Sequence, residues 1–570
     1  MFDEKKRRIC DREYFITLVL LLCFAGYSVS NAYGFVMFPD EYTYWSYAAA
    51  MAGYDWSDIT SLGMYFSYGY SLILVPVFML CKDAVTAYRA AVSINFGMLI
   101  CSFFCLMWIA GRLWSDRKQN IVLFSAITIF FPGFLFYAQM TMTENVLTML
   151  YILSGALFYQ YLKNNRPGAL LLLLLTMMYA YAVHMRTIGI LLSGITVLIF
   201  HMLSGQGRKH HIILVVGTIG MLLLLSLAIK EWSYECVYGG VNGELVRGND
   251  YSGQIEKIKY IFTTAGAYDF FIGILGKIWY LGLSTYGLFY WGIYGLLKMF
   301  FSKKEDLVKR KFSAYILMGV IAQIMIASVY LMNMGAVSDY TYGRYSELIL
   351  PFVMMAGLIT LWNQRAKIIW VASGVIAVMH LFIVILIVKQ IMRAGTVLFQ
   401  ECFVVGISYL YRADDFDVMT FYTEAYLFGT VLQFGVITVM LFARSKEKRR
   451  EILPVLLGME IVLAVWADRN LLQVYKRAAY RDYCLSEKIA WLYEEKEDAD
   501  IVYKYDTYPS YAGILQFMMR DIDLLVVDEI TDVDKNDILI FPFDDAAQEK
   551  WKGKFHYIDV YGHFTIMYNQ

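Results

Sequence analysis

A polytopic helical membrane bundle with a small α/β domain at its C-terminal end is the fold class this sequence predicts, on three observations. Apolar residues make up 59% of the 570 residues, and the mean hydropathy is +0.51. These residues gather into repeated runs of about 20, the length that crosses a bilayer as a helix. The stretch 469–570 departs from that pattern and reads as short β-type runs among charged residues.

The chain opens with Lys5-Lys6-Arg7-Arg8 ahead of an apolar run from Tyr14 to Val36. The arrangement is like a signal peptide, but the run is about 20 residues long and no small-x-small cleavage site follows. It predicts an uncleaved first span with its basic end in the cytoplasm. Residues 37–87 form an outer loop, too polar and aromatic at its start to span, in which Tyr44–Met51 and Ile73–Leu80 read as helices lying along the interface. Further spans are predicted near 88–111, 119–137, 144–162, 168–185, 187–203, 212–230, 271–300, 312–332, 346–363, 367–389, 423–443 and 452–468. Longer outer loops fall at 231–270 and 390–422. The total is about 13 crossings.

Positive charge tests this count independently. Arg112, Arg117 and Lys118 share one predicted inner loop, Lys163 and Arg166 the next, then Arg208 and Lys209. Lys303, Lys304, Lys309, Arg310 and Lys311 follow, then Arg365 and Lys367, then Arg444, Lys446, Lys448, Arg449 and Arg450. Every second loop is basic, as the positive-inside rule requires. This predicts a multi-pass protein of the cell membrane with its N-terminus cytoplasmic, a membrane domain over 1–468 and an extracytoplasmic α/β domain over 469–570. In the latter, Ile501–Tyr505, Leu524–Val527, Ile538–Phe541 and Phe555–Val560 read as strands, and Tyr511–Met519 as an amphipathic helix.

Other classes find no support. The net charge is +0 and no basic stripe suggests nucleic acid. The eight cysteines lack the paired spacing of a metal site or redox motif. Cys236, Cys402 and Cys484 fall on the outer side, and whether any two form a disulfide stays open.

The candidate chemistry begins at Phe38-Pro39-Asp40-Glu41-Tyr42-Thr43-Tyr44-Trp45, where the chain leaves the first span. Two carboxylates at that depth are costly unless they face water or perform a task. On a helix they point about 100° apart, so at most one faces a given cavity squarely. A partly desolvated carboxylate is a stronger base and suits removal of a proton from an attacking hydroxyl. The alternative is a solvated pair that marks the end of the span. Glu144, in Thr141-Met142-Thr143-Glu144-Asn145, either complements a helix N-terminus capped by Thr143 or faces the same cavity as Asp40 and binds acceptor or a divalent cation. Arg186 and Arg344 run against the positive-inside trend and call for an anion. That anion is a phosphate, or else a structural carboxylate such as Asp339 or Glu347 beside Arg344.

The outward Asp40-Glu41, then Gly53-Tyr54-Asp55-Trp56, then Tyr68-Gly69-Tyr70-Ser71-Leu72 opening an apolar run resemble the start of the GT-C membrane glycosyltransferases. The chain is similar there to the protein O-mannosyltransferases and the lipid A aminoarabinose transferases. Glu144 at the head of a span, the Arg-x-x-Gly at 186–189 and Gly343-Arg344-Tyr345 before a late span extend the likeness. One departure is plain: the aminoarabinose transferases carry a Lys and a Pro pair where this chain has Phe66-Ser67-Tyr68-Gly69, which removes one phosphate partner. The resemblance implies an inverting glycosyltransferase that moves a sugar from a polyprenyl-phosphate donor in the membrane lipid to a glycan, lipid or protein acceptor. Asp40 would be the general base, with Glu41, Glu144, Arg186, Arg344, Tyr345 and Tyr68 around the substrates. It requires no cofactor, while leaving room for a divalent cation. Two other readings are a lipid-linked glycan transporter, which calls for inverted repeats that are not found, and a glycan polymerase or ligase, which does not need the early Asp-Glu.

Overall fold

The computed structural model describes the chain apart from residues 1, 38–39, 64, 115–117, 241–251, 333–334, 396–397, 413–415, 446–450, 497–498, 505–509, 523, 532, 544 and 570. It gives no side-chain environment for 2–10, 118–119, 252–253, 394 and 510. Phe38, Pro39, Arg117, Lys446, Lys448, Arg449, Arg450 and Tyr505 therefore lie outside the described residues, as do the side chains of Lys5, Lys6, Arg7, Arg8 and Lys118.

The chain is a mostly helical, multi-pass membrane bundle with a small β-rich domain at its C-terminal end. Among the described residues seven helices are long and apolar enough to cross a membrane, and eight if Gln254–Ile261 and Thr264–Ser284, bent by 105°, count as one span. Five shorter apolar helices accompany them: Ser71–Leu80, Asn120–Ile129, Pro167–Val183, Leu288–Phe301 and Glu347–Asn363. The expected count of about 13 took Asn120–Ile129, Pro167–Val183, Leu288–Phe301 and Glu347–Asn363 as crossings or parts of crossings, whereas Ser71–Leu80 falls where an interfacial helix was expected; the seven or eight helices of spanning length among the described residues leave that count unconfirmed. The expected span 119–137 stops at Ile129 and restarts as Pro132–Tyr137, with proline at the first position of the new helix. The expected span 271–300 divides at Tyr286 and Gly287, whose φ values of 54° and 82° end one helix and reset the chain. The long helix His211–Cys236 presents an apolar outer surface suited to lipid: Ile213, Val216, Leu224 and Leu227 are 76%, 64%, 70% and 63% exposed. The short helix Leu350–Asn363 is instead buried along most of its length.

Three helices run between the two ends of the bundle in a shared sense. Glu144–Asn164, Ile188–Leu203 and Leu350–Asn363 begin beside Glu144, Arg186 and Arg344 and end at basic turns. The first two of those ends are tied to each other, Lys311 Nζ donating to His201 Nδ1 at 2.8 Å and His201 Nε2 meeting Asn165 Oδ1 at 2.9 Å, while at the third Arg444 Nη1 donates to the Trp362 carbonyl at 3.2 Å. The end opposite the basic turns is where the candidate residues collect.

The helix expected along the interface at Tyr44–Met51 forms as Asp40–Met51, but it is enclosed, with every residue from Glu41 to Ala49 buried. Its large aromatics find partners in other parts of the chain: Tyr42 stacks on Trp56 at 6.0 Å and Trp45 packs on Phe78 at 6.3 Å. A surface location would have left that area in water or lipid headgroups.

The apolar helix Pro454–Ala467 continues through a π turn at Asp468–Leu472 into Gln473–Glu495, which carries the chain into the C-terminal domain. There β1 (Ile501–Lys504), β2 (Leu525–Val527), β3 (Ile538–Pro542), β4 (Tyr557–Tyr561) and β5 (Phe564–Tyr568) form one sheet in the order β2-β1-β3-β5-β4. β1 pairs in parallel with β2 and β3, while β5 runs antiparallel to β3 and β4. The completely buried strand β5 was not among the expected strands. Cys236, Cys402 and Cys484 are all free thiols.

Candidate functional site

Asp40, Glu144, Arg186, Arg344 and Tyr345, drawn from four separate stretches of sequence, meet in one cluster. Arg344 bridges two carboxylates, with Nη1 2.8 Å from Asp40 Oδ2 and Nε donating to Glu144 Oε1 at 2.7 Å. Arg186 Nη2 donates to the same Glu144 oxygen at 3.0 Å. The Arg186 guanidinium lies 4.4 Å from the centre of the Tyr345 ring, a cation–π distance. Arg344 thus pairs with neither Asp339 nor Glu347. Asp339 Oδ2 accepts from the Ala336 N–H at 2.9 Å, and Glu347 accepts from the Tyr280 hydroxyl.

The backbone explains why these side chains converge. Glu144 opens its helix, where a negative charge suits the dipole, while Thr143 makes no side-chain cap and its buried hydroxyl lacks a partner among the described residues. Arg186 sits in the tight turn Met185–Thr187 that joins two short helices, and its N–H donates to His184 Nδ1 at 3.3 Å. The loop carrying Arg344 is pinned to the Phe403 carbonyl by the N–H groups of Gly343 and Arg344, at 2.8 and 3.3 Å. Gln323 Nε2 holds the Tyr345 carbonyl at 2.7 Å.

Exposure divides the cluster by task. The side chains of Arg186, Arg344 and Glu144 are 3%, 3% and 7% exposed, whereas Asp40 is 22% exposed and is the member open to an incoming molecule. Arg186 Nε and Nη1 are buried and have no acceptor among the described residues, and neither has Glu144 Oε2 a donor. A guanidinium with N–H groups left over in a dry site is a place for further anionic oxygens, because an unmet buried donor is costly.

Glu41 stands apart from its neighbour. Its Oε1 accepts from the N–H groups of Val36 and Met37, both at 2.7 Å, and its Oε2 accepts from the Tyr88 hydroxyl at 2.8 Å. Thr141 adds its N–H at 2.7 Å and its hydroxyl at 2.6 Å to Oε2. Burial pushes this carboxyl up from the usual range, and the donors pull against that. The chain's own donors thus surround Glu41, which ties the first turn of the Asp40 helix to the loop that leads into Glu144. Tyr68 also lies elsewhere, in an aromatic cluster with Tyr47, Tyr65 and Tyr238. Its neighbour Gly69 packs so closely that a Cβ there would fall 2.4 Å from the Val183 nitrogen. Thr141, Tyr88 and Trp45, whose Nε1 donates to Thr141 Oγ1 at 3.1 Å, were not foreseen. As uncharged residues in apolar or aromatic sequence, they carry no local signal.

No family model and no curated protein sequence matches the chain. Solved structures do. The crystal structure of ArnT from Cupriavidus metallidurans bound to undecaprenyl phosphate superposes with a TM-score of 0.54 at 11% identity, covering 97% of each chain. Its apo state superposes with a TM-score of 0.53 at 13% identity, again over 97% of each. The likeness to GT-C membrane glycosyltransferases read from the short motifs is thus borne out at the level of fold, and this chain has the ArnT-type fold along nearly its whole length.

Proposed function

We propose that the protein is an inverting glycosyltransferase that moves a sugar from a polyprenyl-phosphate donor to an acceptor hydroxyl at the outer face of the membrane. The observation that carries this reading is the cluster itself: one accessible carboxylate beside two buried arginines, one of which has N–H groups to spare. The ArnT fold, in a relative that binds undecaprenyl phosphate, supports it.

In the proposed step the acceptor oxygen attacks the anomeric carbon and its proton passes to Asp40. The bond from that carbon to the phosphate oxygen breaks, and the electron pair leaves with the polyprenyl phosphate. A single displacement inverts the anomeric centre. Arg186 and Arg344 meet the charge that develops on the departing phosphate, the kind of fixed electrostatic stabilisation that contributes most in a site shielded from water. Glu144 holds both guanidinium groups in place. With two arginines on its Oε1, a divalent cation there would meet like charge, so the reading assigns charge stabilisation to the arginines. Glu41 positions the helix and does not contact substrate, and Tyr68 is given no substrate contact.

The test is a mass-spectrometric comparison of lipid-linked sugars and outer-surface glycans in cells with and without the protein. Loss of one sugar from a surface glycan with build-up of its polyprenyl-phosphate form is expected. A lipid-linked glycan that instead accumulates on the inner leaflet would point to transport.

A further inference from the structure

We propose that the C-terminal domain is part of the catalytic unit: its helix Ser510–Met518, acting through Phe517, sets where Asp40 stands relative to Arg344 and Glu144. Phe517 is 1% exposed and lies in a pocket of three aromatic rings. It stacks on Phe35 at 4.5 Å, meets Trp45 at 4.9 Å and meets Tyr88 edge-on at 6.4 Å. Two of these residues belong to the shell that grips Glu41. The Tyr88 hydroxyl donates to Glu41 directly, and Trp45 donates to Thr141, which donates to Glu41. Glu41 is one residue from Asp40, and Thr141 is in the loop that delivers Glu144. The Phe517 ring therefore supports the joint that fixes the spacing between the proposed base and its ion-paired partners.

The rest of the wedge is built to hold that position. Gly513 brings the helix so close to the Asp40 helix that a Cβ would lie 2.5 Å from the Tyr42 ring. Just beyond the wedge, Arg520 Nη1 donates to the carbonyls of Phe78 and Cys81 at 3.1 and 2.7 Å, closing the end of Ser71–Leu80. Trp56 Nε1 in turn donates to the Arg520 carbonyl at 3.3 Å. The wedge is anchored on the membrane domain at several points, and Phe517 is its large buried ring against the Asp40 helix. A displacement of about 1 Å at a reacting group costs on the order of 10²-fold in rate, so Phe517 acts as a positioning residue.

The inference rests on the assignment of Asp40 as base, and its test separates the two. Phe517→Ala opens a void under Trp45, whereas Phe517→Leu keeps most of the apolar filling and serves if the alanine variant fails to fold. Two quantities are measured on the full-length protein in detergent, with Val560→Ala, on the exposed face of β4, as control. One is kcat and donor affinity for transfer from a polyprenyl-phosphate sugar. The other is the rate at which a water-soluble methanethiosulfonate modifies Asp40→Cys, read at that peptide by mass spectrometry. Phe517→Ala should lower kcat by about 10²-fold with donor affinity unchanged and should alter the modification rate, while Phe517→Leu restores most of both. Loss of kcat and donor affinity together, or no change in either measurement, overturns the inference. If the modification rate responds but the wild-type protein transfers no sugar, the positioning stands and the glycosyltransferase reading fails.

Discussion

Arg186 and Arg344 touch the same carboxylate oxygen yet hold different positions. Arg344 is saturated on its inner side by Asp40 and Glu144, so replacing it disturbs the base and the phosphate site together. Arg186 makes one ion pair and keeps two buried nitrogens without partners among the described residues, which makes it the cleaner probe of phosphate binding. Arg186→Gln keeps a hydrogen-bonding side chain without the charge and leaves a bound phosphate short of a charged partner, a loss of about 1.5–3 kcal/mol. That predicts donor affinity weaker by roughly 10–100-fold. Isothermal titration with a short-chain polyprenyl phosphate measures it, and unchanged affinity would remove Arg186 from the phosphate site.

At the scale of the element, the Asp40 helix is held by a carboxylate whose partners are all donors. Glu41→Gln places an amide where Val36, Met37, Thr141 and Tyr88 all present N–H or O–H groups, and the two backbone N–H groups at Val36 and Met37 cannot turn away. Whichever way the amide turns, donor faces donor inside a buried site, a cost of about 1–3 kcal/mol. The expected result is a lower thermal midpoint in detergent together with slower transfer. A Glu41→Gln protein as stable as wild type would show that the joint between the Asp40 helix and the Glu144 loop is not held this way.

The membrane protein as a whole was partly legible in its sequence, for reasons that particular residues make clear. Asp40, Glu144, Arg186 and Arg344 stand out because a charge at the end of an apolar run has few explanations, and the fold brings these four together. Their grouping implied proximity but not which carboxylate pairs with which arginine, and the sequence-adjacent candidates Asp339 and Glu347 were the wrong partners for Arg344. Phe517 and Trp45 are ordinary aromatics in sequence and acquire meaning only when a helix from the C-terminal domain reaches back across more than four hundred and sixty residues. Helix breaks were not legible where the backbone turns at a residue with no local mark, as at Tyr286. The alternation of basic loops predicts that Lys304 is cytoplasmic and that Asp339 and Asp40 are outside. Single cysteines introduced in intact cells at 304 and at the exposed Gln400, whose N–H donates to Ser338 next to Asp339, should react with an impermeant thiol reagent at 400 alone. Labelling at 304 alone would invert the topology and place the site on the wrong side for an outer-face acceptor.

The central claim is that Asp40 takes the acceptor's proton while the arginines hold the donor, and one variant tests it most directly. Asp40→Asn preserves size and a hydrogen-bonding oxygen beside Arg344 but removes the basic group. Loss of a general base costs about 10²–10⁴-fold in rate. The measurement is single-turnover transfer from a labelled polyprenyl-phosphate sugar, with donor affinity determined on the same preparation. Transfer slowed within that range with donor affinity intact is the predicted result; near-normal transfer by a folded Asp40→Asn protein would contradict the mechanism.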